Sequence, residues 1–323
     1  MIRCGRRVNL TPDAETKTVV QTTDPAPIEP GGRFYLETSK GTAICRLYGI
    51  TGNQPARIEC SLVEAQNALL HQSVSDSRGT ANPDGWGIGV FDHGSPTVYK
   101  SARAASHDVK FRKTAANVVS RAVVAHVRAA TVGSSGLDNT HPFAHGPWLF
   151  AHNGTLAGFD QLEPELEAEI PNHLLRQRRG ETDSELMFLW LLGRMQNHGL
   201  DPLSGADSVN DIVDLLATAA PALSQRSAAI TDEPARLNFL LSDGIHLGAS
   251  RWGNSLFVTE RAGRTDCEVC RATHLTGPGE SRYRAIAVAS EPITRERWVE
   301  IADHSFIGAT NGNLVGTTIA VAA

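Results

Sequence analysis

The sequence predicts an α+β protein of stacked antiparallel sheets covered by helices, and three observations carry the prediction. Short apolar strand patterns come in runs, one ending at 148–152 and another spanning 237–289. Helical patterns are grouped between strands and do not alternate with them one for one, which argues against a parallel βαβ sheet. The chain is also large and apolar enough to fill such layers, with 323 residues, 41% of them hydrophobic and 20% charged. That composition excludes collagen-like, coiled-coil and wholly disordered chains.

Residues 1–44 stand apart. They hold Pro12, Pro25, Pro27, Pro30 and a Gly31-Gly32 pair without sustained periodicity, and read as a linker or tail. Arg3, Arg6 and Arg7 make the start basic, but no apolar stretch follows, and Asp13, Glu15, Asp24, Glu29 and Glu37 argue against a transit peptide. Residues 44–50 then form a short strand ahead of a Gly/Asn/Pro turn, and 58–74 carry helical spacing through Leu62, Ala65 and Leu69. Strands at 87–91 and 97–100 flank a His93-Gly94 turn; a helix near 109–120 and strands at 122–128 and 148–152 follow. Thr182 with Glu185 three residues on is a capping-box signature for a helix reaching Met195, with Gly199 as its stop. Ser208 or Asn210 caps a further helix that ends before Pro221. Strands at 237–241, 245–249, 256–258 and 284–289 are joined by turns such as Asp243-Gly244.

The net charge of −5 gives no electrostatic reason to expect nucleic acid or an anionic membrane as partner. The longest apolar run, 186–192, is far short of the ~20 residues of a membrane span. Cys4, Cys45, Cys60, Cys267 and Cys270 are an odd number, a poor disulfide framework that points to a reducing compartment, the cytoplasm. Cys267 and Cys270 form a C-x-x-C, but structural zinc needs four ligands and no second C-x-x-C exists, so they read as two ordinary thiols on a turn. His141 and His145 are separated by Pro142, which opposes a helix that would aim both at one ion. Neither a metal nor a cofactor is predicted.

Several segments carry chemistry. Cys45 is a soft nucleophile whose thiolate alone attacks, and a thiol near pKa ~8.5 needs a base; standing alone it reads as a buried strand cysteine. Asn153-Gly154 can aim a side-chain amide N–H and a backbone N–H at one point, and is equally a hairpin-turn dipeptide. The sequon Asn153-Gly154-Thr155 is discounted because nothing indicates secretion. Arg128 ends an apolar strand, where its guanidinium can hold a carboxylate or sit in a surface ion pair. Asp183 falls in the first turn of a helix, where the dipole favours an ionised carboxylate. Gly85, Trp86 and Gly87 form a loop lining a site or a turn with a core tryptophan, without phosphate-loop spacing.

Taken in order, 45-CRLYG-49, 82-NPDGWG-87, 126-HVRAAT-131, 152-HNG-154 and 182-TDSE-185, with 140-THPF-143 and 290-SEPIT-294, resemble the class II glutamine amidotransferases. These are N-terminal-nucleophile (Ntn) hydrolases. The resemblance runs from residue 45 to past 300, is nearest to stand-alone glutaminase-like members, and implies a four-layer αββα sandwich. It further implies that Cys45 is the first residue of the mature chain, its α-amine serving as base, with Asn153 and Gly154 as oxyanion donors. Arg128 would take the α-carboxylate and Asp183 the α-amine of glutamine or a γ-glutamyl small molecule, with Gly85 and Trp86 lining the site. Residues 45–323 are then one amidotransferase domain with no room for a synthase domain, so ammonia goes to a separate synthase subunit or the protein is a plain hydrolase. Family members usually begin Met-Cys, whereas Ile44 precedes Cys45 here. Residues 1–44 are therefore expected to be a pro-segment or, by preference, a misassigned start with the Ile44 codon as initiator. Two rival readings stand beside this one: a silent amino-acid-binding or regulatory module in which Cys45 is never exposed, and an internal-cysteine hydrolase using His126, His141 or His152 as base.

Overall fold

Backbone pairing sorts the strands into two sheets that place the ends of several motifs side by side. The computed structural model describes residues 45–92, 94–198, 200–263, 267, 269–271, 274–275 and 282–315. The predicted tail 1–44, His93 of the predicted turn and the predicted helix stop Gly199 lie outside the described residues. The strands are β1 (Arg46–Arg57), β2 (Trp86–Asp92), β3 (Ser95–Ser101), β4 (Val119–Val127), β5 (Phe143–His145), β6 (Trp148–Thr155), β7 (Arg236–Ser242), β8 (His246–Arg251), β9 (Phe257–Ala262), β10 (Arg284–Ala289), β11 (Val299–Glu300), β12 (Ser305–Thr310) and β13 (Asn313–Leu314). The helices are α1 (Leu69–Val74), α2 (Val109–Asn117), α3 (Phe159–Glu169), α4 (Asn172–Leu175), α5 (Asp183–Met195) and α6 (Val209–Ala228).

One sheet runs β11-β9-β10-β1-β4-β2-β3 and the other β13-β12-β8-β7-β6-β5, with antiparallel neighbours throughout. Three apolar clusters define four layers. Leu47, Val124, Val288, Leu149, Leu240 and Leu247 fill the space between the sheets. Leu62, Leu69 and Phe111 pack on the outer face of the first sheet, and Leu162, Leu191 and Leu216 on that of the second. The architecture is the four-layer αββα sandwich that the resemblance implies.

Where local patterns and the structure differ, tertiary bonding is the reason. The predicted helix over 58–74 is broken into a π-helical turn (Cys60–Glu64) and α1, with Ala65 and Ala68 extended. The Asn67 N–H donates to Ile293 O at 3.2 Å, and the break lets Leu62 and Leu69 both reach the sheet. The helix predicted to stop before Pro221 runs on to Ala228, with Pro221 inside it. A mid-helix proline costs about 3 kcal/mol, but Leu215, Leu216, Ala219, Ala220 and Leu223 are buried on both sides of it, and one buried leucine contributes ~1.5–3 kcal/mol. β1 also continues through the predicted Gly/Asn/Pro turn. Among the described residues, no helix is long and apolar enough to cross a membrane.

Candidate active site

Cys45 immediately precedes β1, whose first residue Arg46 pairs with Val127 at the end of β4. This register sets Cys45 against the residues that follow β4. Its Sγ donates to Ala129 O and accepts from Ala129 N–H, both at 3.3 Å. Burial pushes the thiol up to about 11, against the opposing pull of the Ala129 hydrogen bond and the Arg128 and Arg46 charges. At neutral pH it is therefore a protonated thiol.

Arg128 is held in place from both sides of its backbone: its N–H donates to Gly85 O at 2.8 Å and its carbonyl accepts from Asp84 N–H at 3.0 Å. Gly85 sits at φ 130°, and a Cβ there would lie 2.9 Å from Ser101 O, so glycine suits this close approach. The Arg128 guanidinium is buried, not a surface group, and donates to Ser134 O (3.1 Å), Val132 O (2.8 Å) and Gly133 O (3.3 Å). It thus gathers the loop after β4, which Asp84 also holds by accepting from Ala130 N–H at 2.8 Å.

Asn153-Gly154 is not a hairpin turn. Both residues lie inside β6, paired with Asn238 and Leu237. Gly154 has φ 154°, and a Cβ would meet Arg236 O at 1.9 Å, so no other residue fits. Asn153 Nδ2 donates to Ser290 Oγ at 3.1 Å, which also accepts Leu47 N–H at 2.9 Å; the amide is thereby tied to the strand that begins after Cys45. Thr182 caps α5 as predicted, its Oγ1 accepting from Glu185 N–H at 3.1 Å. The Glu185 carboxylate does not complete the box, since it accepts from Arg179 and Gly180 N–H instead. Asp183, in the first turn, accepts from Leu156 N–H (2.8 Å) and Ser184 N–H (2.7 Å).

Cys45, Arg128, Gly154 and Asp183 line one cavity together with His141, His152 and Thr182. Trp86 does not join them: it is buried under α2, edge-on to Phe111 at 5.2 Å, with Nε1 donating to Asp108 Oδ2 at 3.1 Å. The core reading of the Gly85-Trp86-Gly87 segment describes the tryptophan, while Gly85 acts on the site through Arg128. The three histidines are poor bases for Cys45. His152 has both ring nitrogens engaged, by Ser184 Oγ (2.9 Å) and Arg236 O (2.8 Å). Burial pushes His126 down to about 3 and His141 well below its ordinary value. The hydrogen bonds of Cys45 go to the Ala129 backbone, not to an imidazole.

Sequence reasoning missed the residues that fix the start of β1. The Arg46 guanidinium is buried between Asp76 (2.6 Å) and Glu291 (2.8 Å) and also donates to Cys45 O at 3.0 Å. Glu291 accepts further bonds from Asn67 and from Ser77. The 290-SEPIT-294 motif contains the signal, but its partner Arg46 is 245 residues away in the chain. Burial opposes ionisation of Glu291, yet the Arg46 charge and these bonds hold its carboxyl below the usual range. A depressed folded pKa means that its stabilisation is full above the unfolded value near ~4.3 and is lost as pH falls through the folded value. Glu291→Gln is expected to cost about 3 kcal/mol at pH 7 in a urea titration, with the difference from wild type shrinking below pH ~4.

With this geometry in hand, similarity to known proteins becomes specific. The family model for class-II glutamine amidotransferases matches residues 44–322. The chain belongs to this family. A probable glutamine amidotransferase of Saccharomyces cerevisiae is 27% identical over 293 residues, 82% of this chain and 81% of the yeast protein. A gamma-glutamyl-hercynylcysteine sulfoxide hydrolase of Mycobacterium tuberculosis is 30% identical over 223 residues, 68% of this chain and 81% of its own. In fold, this class II amidotransferase resembles a glutamine aminotransferase class-II domain protein of Silicibacter pomeroyi at a TM-score of 0.57 and 22% identity, covering 86% of this chain and all of the other. The glutamine phosphoribosylpyrophosphate amidotransferase of Bacillus subtilis matches at a TM-score of 0.54 and 17% identity over 85% of this chain, but only 49% of its own.

Proposed function

We propose that this amidotransferase, in a form beginning at Cys45, hydrolyses the side-chain amide of glutamine or of a small γ-glutamyl compound. The observation that carries the reading is the shared cavity, in which the sulfur of Cys45, a cation, a carboxylate and a glycine that no other residue can replace converge. Arg128 and Asp183 offer opposite charges, the complement of a free amino-acid head group and of neither a protein amide nor a nucleic acid. The relative that hydrolyses a gamma-glutamyl compound supports extending the substrate beyond glutamine.

In the proposed reaction, the Cys45 thiol gives its proton to the α-amine of the same residue and the sulfur attacks the amide carbon. The oxyanion that forms accepts hydrogen bonds from the Asn153 amide and the Gly154 N–H. Collapse expels ammonia or an amine, which takes the proton from the α-ammonium, and water then cleaves the thioester to release glutamate. Ammonia passes to a separate synthase subunit or to solvent. The cavity holds about 10 Å³ in this structure, roughly one water. Substrate entry therefore requires its lining to open, and the loop gathered by Arg128 is the part whose bonds a substrate carboxylate can replace.

The test is steady-state hydrolysis of glutamine and of γ-glutamyl amides by a chain starting at Cys45. Arg128→Ala and Asp183→Asn are each expected to raise KM by about 30-fold or more, because each leaves a head-group charge unpaired, worth ~2–5 kcal/mol. An unchanged KM in both variants, with unfolding midpoints near wild type, would sink the head-group assignment.

A further inference from the structure

A cavity of about 560 Å³ lies apart from the one at Cys45, and among the described residues the two share no lining residue. It is lined in part by Cys60, Cys267 and His274. Read from sequence, Cys267 and Cys270 lacked partners; the fold supplies two. The π-helical turn after β1 brings in Cys60, which is 5% exposed, and the segment between β9 and β10 brings in His274. The four side chains offer ligand atoms that all lie within 4.8 Å of one another.

We propose that Cys60, Cys267, Cys270 and His274 bind one zinc ion in a closed, tetrahedral Cys₃His site. A tetrahedron with Zn–S near 2.3 Å and Zn–N near 2.0 Å has edges of roughly 3.5–3.8 Å. The cluster needs only a small contraction to reach that size, and Cys270 Sγ to His274 Nε2 is already 3.3 Å. Three thiols and an imidazole form a zinc donor set, and the 267-C-x-x-C-x-x-x-H-274 spacing supplies three ligands from one short turn, with the fourth from a distant element. The turn is braced for this: Arg271 N–H donates to Cys267 O at 2.7 Å, and His274 O accepts from Arg57 N–H at 2.8 Å beside an Ala56–Leu275 bridge. Three thiolates on a dication leave one net negative charge, and the Arg57 and Arg261 side chains line the same cavity.

Four protein ligands leave no open position, so the ion's role is structural. It pins the stretch around 267–275 to the end of β1 opposite to that of Cys45. The site depends on neither the Cys45 chemistry nor its substrate.

The test is elemental analysis of the full chain purified without chelator. The expected result is about one zinc per chain, falling below about a tenth in Cys60→Ser and in Cys270→Ser. Cys270 is exposed, so its variant keeps the test open if loss of buried Cys60 prevents folding. Cobalt(II) in place of zinc should give thiolate-to-metal charge-transfer bands and the strong visible bands of a tetrahedral ion, absent from both variants. A metal-free native protein whose Cys60, Cys267 and Cys270 all react with a thiol reagent would overturn the proposal. So would a Cys267–Cys270 disulfide in the native protein, or zinc retained in full by both variants.

Discussion

Cys45→Ala, made in a chain that begins at that residue, is expected to abolish amide hydrolysis, and a chain of confirmed intact mass that keeps residues 1–44 is expected to be nearly inactive as well. The first result follows from removing the only sulfur that the described residues place in the cavity. The second follows from the base. Burial holds the Cys45 thiol above its ordinary range, so it needs a base to ionise, and an α-amine, with an ordinary pKa of ~7.7–8.0, can accept its proton. With residue 44 attached, the same nitrogen is an amide without useful basicity, and the nearby imidazoles are engaged or held neutral by burial. Mass spectrometry of both forms, followed by glutamate release, checks the pair of results. Equal rates from the long and short chains would refute the free-amine mechanism.

The parts of this site that were legible in the sequence are those whose chemistry sits in a short stretch. Thr182-Asp183-Ser184-Glu185 announces a capped helix because the N-cap bond closes within three residues, and the structure makes that bond. The strand at 122–128 shows in its apolar run, and Arg128 at its end reads as a group aimed beyond the sheet. Two kinds of feature were not legible. Asn153-Gly154 has the local preference of a turn, and only the neighbouring strand β7 shows that the glycine is there to clear Arg236 O. The second kind depends on pairing across long separations. Arg46 finds Glu291, and Cys60 comes to Cys267, Cys270 and His274, through β1 lying next to β10. A reading that counts cysteines by spacing sees half of such a cluster.

The helices show the same balance in energetic terms. Pro221 is a strong local stop, yet the apolar face on both sides of it outweighs the lost hydrogen bond. The helical spacing of 58–74 is real, but its middle gives up i→i−4 bonds for a contact with the residue after the 290-SEP motif. In both places the sandwich decides, because its faces are already fixed by the strands.

Asn153→Ala is expected to lower kcat by about 10² to 10³ with little change in KM, the size of losing one oxyanion donor, roughly 3–4 kcal/mol. The amide has two N–H donors, and one is committed to Ser290 Oγ. Its carbonyl side is held by Asn254 Nδ2, at 3.0 Å to the backbone O and 3.4 Å to Oδ1. The group is thereby fixed before substrate arrives, the condition under which a donor stabilises developing charge without reorganising. The same network makes a structural explanation possible, so a second variant separates the two. Ser290→Ala removes the partner that orients Asn153 and accepts Leu47 N–H but leaves the donor itself. If Asn153 stabilises the oxyanion, Asn153→Ala and Asn153→Asp lose far more kcat than Ser290→Ala, and Asn153→Asp loses most because its charge repels the oxyanion. If Asn153 only anchors β6 to β1, Ser290→Ala matches Asn153→Ala in both kcat and unfolding midpoint, and the oxyanion assignment fails.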